Sequence, residues 1–292
     1  MIALKTSRKN NPSGVVFYPV LRFWRYFLQI LTHHDVKRLR RAMTSVGTES
    51  FFDNLKRLLR GKLRCDTFLL MRFDQNAAPS LLGSWILRDH LPQSALDQYI
   101  DGAYRLDPFF QYQNVPKAGA FYRLIDIAPD RFFSSEYYLQ YYKLTRLCDE
   151  IGLLVPLPNG SRIHLSFSRL ETRGPFRRKE LQCLDRYCPI LLEMLSAHGQ
   201  LSAPFDQLQK SDKTLGPLHE IIRRQVHTEL LAELTQREAQ IAALVLQGHS
   251  NGSAALTLGI SKETIKVHRR NLYRKLHISS PRELFSMLKH LL

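Results

Sequence analysis

The stretch that most restricts how this 292-residue chain can fold is its C-terminal part, where helix start and stop signals recur at short intervals. Thr235 and Glu238 stand at S/T-x-x-E spacing, which predicts a capping box that satisfies two orphan backbone N–H groups. Ile241, Leu244 and Val245 follow as an apolar stripe, and Gly248 offers the left-handed residue on which a helix ends. A second short helix is predicted over about Asn251–Leu258, with Ala254, Ala255 and Leu258 small or apolar for close packing. Gly259 then makes a tight turn, and Ser261 caps a third helix from Lys262 to Leu276. Two short helices joined by a glycine turn form a helix-turn-helix unit.

The third helix has two distinct faces. At about 100° per residue, Ile265, Leu272 and Leu276 fall within about 20° of one another and define a core stripe. Glu263, Lys266, Val267, Arg270 and Arg274 gather on the opposite side. Arg and Lys donate to guanine O6 and N7 in a major groove, and a valine methyl contacts thymine. Lys262, Thr264, Arg269 and Lys275 complete the expected DNA-binding set, with Thr264, Arg269 and Lys275 flanking the face at positions suited to phosphates.

The run from Leu234 to Phe285 resembles the LuxR/FixJ/GerE-type helix-turn-helix. The resemblance rests on Leu234-Thr235-x-Arg237-Glu238, Gly248, Leu258-Gly259-Ile260-Ser261, Thr264-Ile265-Lys266-Val267-His268, Lys275-Leu276 and Glu283-Leu284-Phe285. It implies a DNA-binding transcription regulator of the LuxR family acting as a homodimer on double-stranded DNA. It also implies base contacts from Lys266, Val267 and Arg270, and a dimer contact along Pro281–Leu291. The segment Asn251-Gly252-Ser253 departs from the family pattern, and Gly252 weakens the start of the second helix by up to about 1 kcal/mol.

The formal net charge of +16 points to a polyanionic partner. Residues 1–42 carry nine Lys and Arg against one acid, and residues 235–292 carry nine against three, so the middle of the chain is close to neutral. The first stretch includes the apolar run Val15–Leu31, which Arg22 and Arg25 interrupt, and the basic run Lys37–Arg41. Mid-span charges argue against a transmembrane helix and the lack of a small-residue cleavage site against a signal peptide, so residues 1–43 read as a basic extension. The four cysteines show no CxxC and no histidine at metal-ligand spacing; reduced thiols in a cytoplasmic protein, with no metal or cofactor, are expected.

The region 44–198 predicts an α+β domain with an antiparallel sheet. Thr67–Phe73 and Ser80–Leu87 read as one hairpin, and Gly152–Pro156 with Arg162–Phe167 as another around Pro158-Asn159-Gly160. Helices are expected over about 93–104, over Ser134–Leu147 and over Phe176–Ala197, the last kinked at Pro189. This order resembles GAF- or PAS-type sensor domains and the related autoinducer-binding domain. The last resemblance implies Asp107, with Tyr99, Tyr104 and Trp85, as candidate contacts for a small-molecule signal. The plain alternative makes Asp107 a helix N-cap before Pro108, the Tyr137, Tyr138, Tyr141 and Tyr142 cluster a cover for the sheet, and Asp149 and Glu150 turn residues. Residues 199–229 read as a linker and 230–292 as the DNA-binding domain.

No Walker loop, HExxH helix or GxGxxG turn occurs, so the expected class is a regulator and not an enzyme. Two other modes of control stay open: a ligand-independent regulator governed by a protein partner or membrane association, and a response-regulator-like output protein.

Overall fold

A computed structural model describes residues 32–74, 77–87, 93–206 and 216–291. Two helices open it, α1 (His33–Thr44) and α2 (Phe51–Leu59), followed by the strands β1 (Thr67–Phe73) and β2 (Ser80–Ile86). Next come α3 (Gln93–Asp101), a 3-10 turn (Ala103–Leu106), α4 (Pro108–Gln111), β3 (Ala120–Arg123) and α5 (Leu124–Ile127). Then follow α6 (Glu136–Gln140), β4 (Leu147–Pro156), β5 (Arg162–Leu170) and the long α7 (Arg178–Asp206). The remainder is helical: α8 (Leu218–Leu230), α9 (Gln236–Gln247), α10 (Asn251–Leu258), α11 (Lys262–Lys275) and α12 (Pro281–Leu288).

The strands form one antiparallel sheet in the order β2-β1-β5-β4-β3. Register decides what each face carries, because alternate residues point to opposite sides. Phe68 and Leu70 of β1, Ile151, Leu153 and Val155 of β4, and Ile163, Leu165 and Phe167 of β5 share one face. That face is covered by α2 through Phe51, Phe52, Leu55 and Leu58 and by α7 through Leu184, Leu191 and Leu195. The core so formed is built of apolar side chains, with the buried Arg72, Asp149 and Arg169 at the ends of the same face.

The opposite face differs in chemistry. It presents Thr67, Leu69 and Met71 from β1, Glu150 and Gly152 from β4, and His164, Ser166 and Ser168 from β5. Most of these are buried, because a layer of tyrosines and then the C-terminal helices lies above them. Leu154, Met71 and Phe73 on this side belong to the same cluster of buried residues as Ile241, Leu272 and Leu284 in the C-terminal helices.

Several boundaries differ from the sequence reading. The expected extension does not end at residue 43: α1 packs on α2, Ala42 is completely buried, and Lys62 Nζ pairs with Asp35 at 2.8 Å. Its exposed basic side resembles that of a free segment, and its short apolar contact carries little periodicity. Residues 1–31 lie outside the described residues. The expected linker shrinks as well. Helix α7 runs unbroken through Pro189 to Asp206, and α8 packs along α9, burying Leu218, Ile221, Ile222 and Val226; residues 207–215 lie outside the described residues. The tyrosine-rich helix is divided, with α6 ending at Tyr141 and a 3-10 turn (Tyr142–Thr145) closing on Arg146 in the left-handed region.

Gly83 in β2 makes room for α2: an added Cβ would lie 2.3 Å from the Phe52 ring. Gly83→Ala is expected to overpack this junction and destabilise the protein by about 1–3 kcal/mol, read as a lowered urea midpoint.

Candidate nucleic-acid interface and sensor cavity

The C-terminal helices form as the cap signals require. Thr235 Oγ1 accepts from Glu238 N at 3.2 Å while Glu238 Oε2 accepts from Thr235 N at 2.9 Å. Gly248 and Gly259 end α9 and α10 with φ of 93° and 63°. Ser261 caps α11 by accepting from Thr264 N. Ile265, Leu272 and Leu276 are buried, which fixes the rotation of α11.

That rotation leaves Lys262, Glu263, Thr264, Lys266, Val267, Arg270 and Arg274 exposed. Val267 is 45% exposed and so lies open on the same face as Lys266 and Arg270. Two members of the expected set behave otherwise. Arg269 donates to Asn251 Oδ1 at 3.0 Å and to the Tyr273 hydroxyl at 3.1 Å, with its guanidinium over the Tyr273 ring. Lys275 Nζ pairs with the buried Glu238 carboxylate at 2.8 Å and donates to the Glu233 carbonyl. Both join α11 to its neighbours. Asn251, part of the departure from the family pattern, is therefore an anchor for α11.

The helix expected to make the dimer contact, α12, buries Leu284, Phe285 and Leu288 within the chain, against α9 and α6. The turn after α9 docks beside it. Arg131 N donates to the Gly248 carbonyl at 2.9 Å, and Ser250 N donates to Asp130 Oδ1 at 2.9 Å. A Cβ on Gly248 would lie 2.8 Å from Phe132 Cα, so the turn approaches as closely as it does because the residue is glycine.

Behind this contact lies a cavity of about 70 Å³ between the polar sheet face and the tyrosine layer. Asp107 and Tyr99 line it, as do Tyr137, Tyr141, Tyr142 and Glu150. Asp107 has two roles: Oδ1 accepts from Phe109 N, capping α4 as its Asp-Pro sequence predicts, and Oδ2 accepts from the Tyr99 hydroxyl at 2.5 Å. Glu150 accepts from the hydroxyls of Tyr142 and Ser166. Asp149 points elsewhere, holding Arg123 and Phe176 N.

Trp85 and Tyr104, also expected as signal contacts, are not among the cavity's lining residues. Trp85 packs with the apolar core on the opposite sheet face, and Tyr104 is buried with its ring 4.7 Å from that of Phe110. His164 and Thr67 were not singled out by the sequence, yet both line the cavity. The alternation Arg162, His164, Ser166, Ser168 within a buried strand was the available signal.

Burial raises both cavity carboxyls, and for Glu150 the nearby Asp107 charge raises it further. Burial drives His164 the other way, down to about 3, with Arg162 adding to the effect, so its imidazole is neutral.

The comparisons with known proteins agree with the helix-turn-helix geometry. Residues 232–288 match the family described as bacterial regulatory proteins, luxR family. A protein of Aeromonas salmonicida named as an HTH-type transcriptional regulator in the exeN 3' region is 30% identical over 187 residues, covering 64% of this chain and 95% of the relative. The chain belongs to the luxR family of bacterial regulatory proteins. It is a DNA-binding transcription regulator of the helix-turn-helix type. The response regulator TodT of Pseudomonas putida is 43% identical over 58 residues, which is 20% of this chain and 26% of TodT. Among solved structures, the ligand-binding domain of VqsR from Pseudomonas aeruginosa aligns with a TM-score of 0.49 at 20% identity, covering 58% of this chain and 99% of that one. SdiA of Escherichia coli aligns with a TM-score of 0.37 at 17% identity, covering 92% and 99%. No helix among the described residues is long and apolar enough to cross a membrane.

Two outcomes follow from these contacts. Lys275→Ala leaves the Glu238 carboxylate short of its charged partner, so the variant is expected to lose about 1.5–3 kcal/mol of stability. Its DNA affinity per folded molecule should change little, as urea unfolding and gel-shift titration together would reveal. For Glu150, the raised folded-state pKa means that the native protein holds a proton which the unfolded chain releases. Its stabilising contribution is therefore complete below pH 4.5 and is lost as the pH rises through about 7. His164 contributes in the opposite direction, so the difference between Glu150→Gln and the wild type is the useful quantity. Relative to wild type, the variant should become more stable as the pH rises across that window in urea titrations.

Proposed function

We propose that this regulator reads DNA through the exposed face of α11 and is controlled by a small molecule held in the cavity between sheet and tyrosine layer. The observation that carries the DNA reading is the exposure of Lys266, Val267 and Arg270 on a helix whose rotation is fixed by Ile265, Leu272 and Leu276. Lys266 and Arg270 donate to base edges, and Val267 meets a thymine methyl. Lys262, Thr264 and Arg274 reach phosphates. Arg269 and Lys275 act one step back, tying α11 to α10 and α9 and adding to the stability of the unit.

Control by a signal is supported by the position of α6. Tyr137 of this helix and Tyr141 at its end line the cavity, while the same helix packs against α9 and α12 of the DNA-binding unit. A ligand that resets the tyrosines therefore has one short element through which to bias the helix-turn-helix. Two copies would bind a partly palindromic site, each with its α11 in a major groove. The docking of α12 against α6 gives the signal a second handle, because the family's dimer helix is then partly covered by the sensor side of the same chain.

The reading face is tested with DNA selected by the wild-type protein from a random-sequence pool. Lys266→Ala and Arg270→Ala are each expected to cost about 1–3 kcal/mol in specific binding and to relax preference at one position. Site-specific binding that survives in the double variant would sink the assignment. Native mass spectrometry of the purified chain for a co-purifying small molecule, with DNA affinity measured before and after its removal, tests the signal. An affinity that does not move would remove control by a cavity ligand.

A further inference from the structure

The cavity's chemistry constrains what enters it. Two carboxyl groups, Asp107 and Glu150, face the same small space, and neither forms a salt bridge among the described residues. The cation whose field reaches Asp107 is Arg162, and its guanidinium donates to the carbonyls of Phe110 and Tyr112 instead. The donors that Asp107 and Glu150 do receive come from neutral groups: three hydroxyls and one backbone N–H. A carboxylate accepts about four hydrogen bonds, so each keeps unused capacity.

Two further groups in the lining are unsatisfied. His164 is 2% exposed and Thr67 is 3% exposed, and neither the imidazole nitrogens nor Thr67 Oγ1 has a hydrogen-bond partner. Buried polar atoms without partners are rare and mark a place where something else completes the set. A neutral imidazole offers one acceptor nitrogen. Together with the carboxyl oxygens it leaves the cavity with unused acceptor capacity.

Three kinds of ligand follow differently from this lining. An anion meets two carboxyl groups, neither of them salt-bridged to a cation among the described residues. A neutral alkyl chain finds apolar walls in Leu69, Met71, Ile86, Leu96 and Leu147 but leaves the two acids facing each other. A metal ion needs three ligating groups around a point, and no three His, Cys, Asp or Glu side chains among the described residues are gathered closely enough. An ammonium group presents three N–H donors on a single positive charge, spreads its contacts over a wider shell, and meets carboxylates in strong charge-assisted hydrogen bonds.

We infer that the cavity binds a compact ligand bearing a primary ammonium group, held between Asp107 and Glu150 with His164 as a further acceptor. This rests on the reading of the cavity as the signal site and names the chemistry of the signal. The ligand's remaining atoms are few, because the space is about 70 Å³.

The test uses the purified full-length chain and three probes of one size and different charge: n-propylamine hydrochloride, propan-1-ol and sodium propionate. Each is titrated at neutral pH and matched ionic strength, with binding read by ligand-observed saturation-transfer NMR. Propylammonium is expected to bind at least about tenfold more tightly than the other two, and Glu150→Gln or Asp107→Asn to reduce that preference about tenfold. Asparagine caps α4 as well as aspartate does, and circular dichroism checks that each variant is folded. Equal or tighter binding of propanol or propionate overturns the inference, as does binding of none of the three, or a preference that persists in both variants. DNA affinity measured with each probe separates the two levels. Selective ammonium binding that leaves DNA affinity unmoved upholds the inference and removes the control reading. A DNA response to propanol or propionate upholds control and overturns the inference.

Discussion

A β-sheet has two faces, and each needs a cover. In this chain one face is closed by apolar side chains of α2 and α7, while the other carries a glutamate, a histidine, a threonine and two serines. Burying polar groups without partners costs about 1–3 kcal/mol each by mutational measures. That side therefore cannot be sealed by leucines. It is covered by tyrosines, whose rings exclude water while their hydroxyls reach the acids. The tyrosine layer is in turn covered by helices of the C-terminal unit. The order of layers (apolar helices, sheet, tyrosines, helix-turn-helix) follows from that single asymmetry.

Asymmetry of this kind also separates rigidity from responsiveness. The apolar side has interlocking rings, such as Phe52, Phe68 and Phe167 at about 5 Å centroid spacing. Close-packed contacts of that sort resist small displacements. On the polar side the contacts are hydroxyl to carboxyl, and their strength depends on which groups hold protons and what occupies the space between them. The half of the domain that touches the C-terminal helices is thus the half whose packing can be reset by chemistry.

The sequence was most legible where local signals decide structure. Thr235 with Glu238, Gly248, Gly259 and Ser261 act within four residues of themselves, so the helices of the DNA-binding unit could be read almost to the residue. The apolar stripe of α11 was legible for the same reason. Features set by long-range partners were not. Nothing near Arg269 or Lys275 announces Asn251 or Glu238, which lie 18 and 37 residues away, and a basic side chain with a hidden partner looks like a free one. The cavity depended on register: His164 and Thr67 share a face with Glu150 only once β1, β5 and β4 are paired. Trp85 lies one residue out of phase with the polar face, and a one-residue change of phase moves a side chain through the sheet.

The docking of the turn after α9 has a consequence for how such a chain can change over generations. Two hydrogen bonds at that contact use backbone groups of the helix-turn-helix, the Gly248 carbonyl and the Ser250 N–H, and the Ser250 hydroxyl that also meets Asp130 is already the cap of α10. The one steric demand falls on Gly248, which the end of α9 already requires to be glycine. On the DNA-binding side the contact therefore adds almost no new constraint on side chains. The side chains on the exposed face of α11 are free to drift while the turn behind it keeps its seat. The exposed face of α11 and the seat of the turn occupy separate residues of one small unit, and each can change without undoing the other.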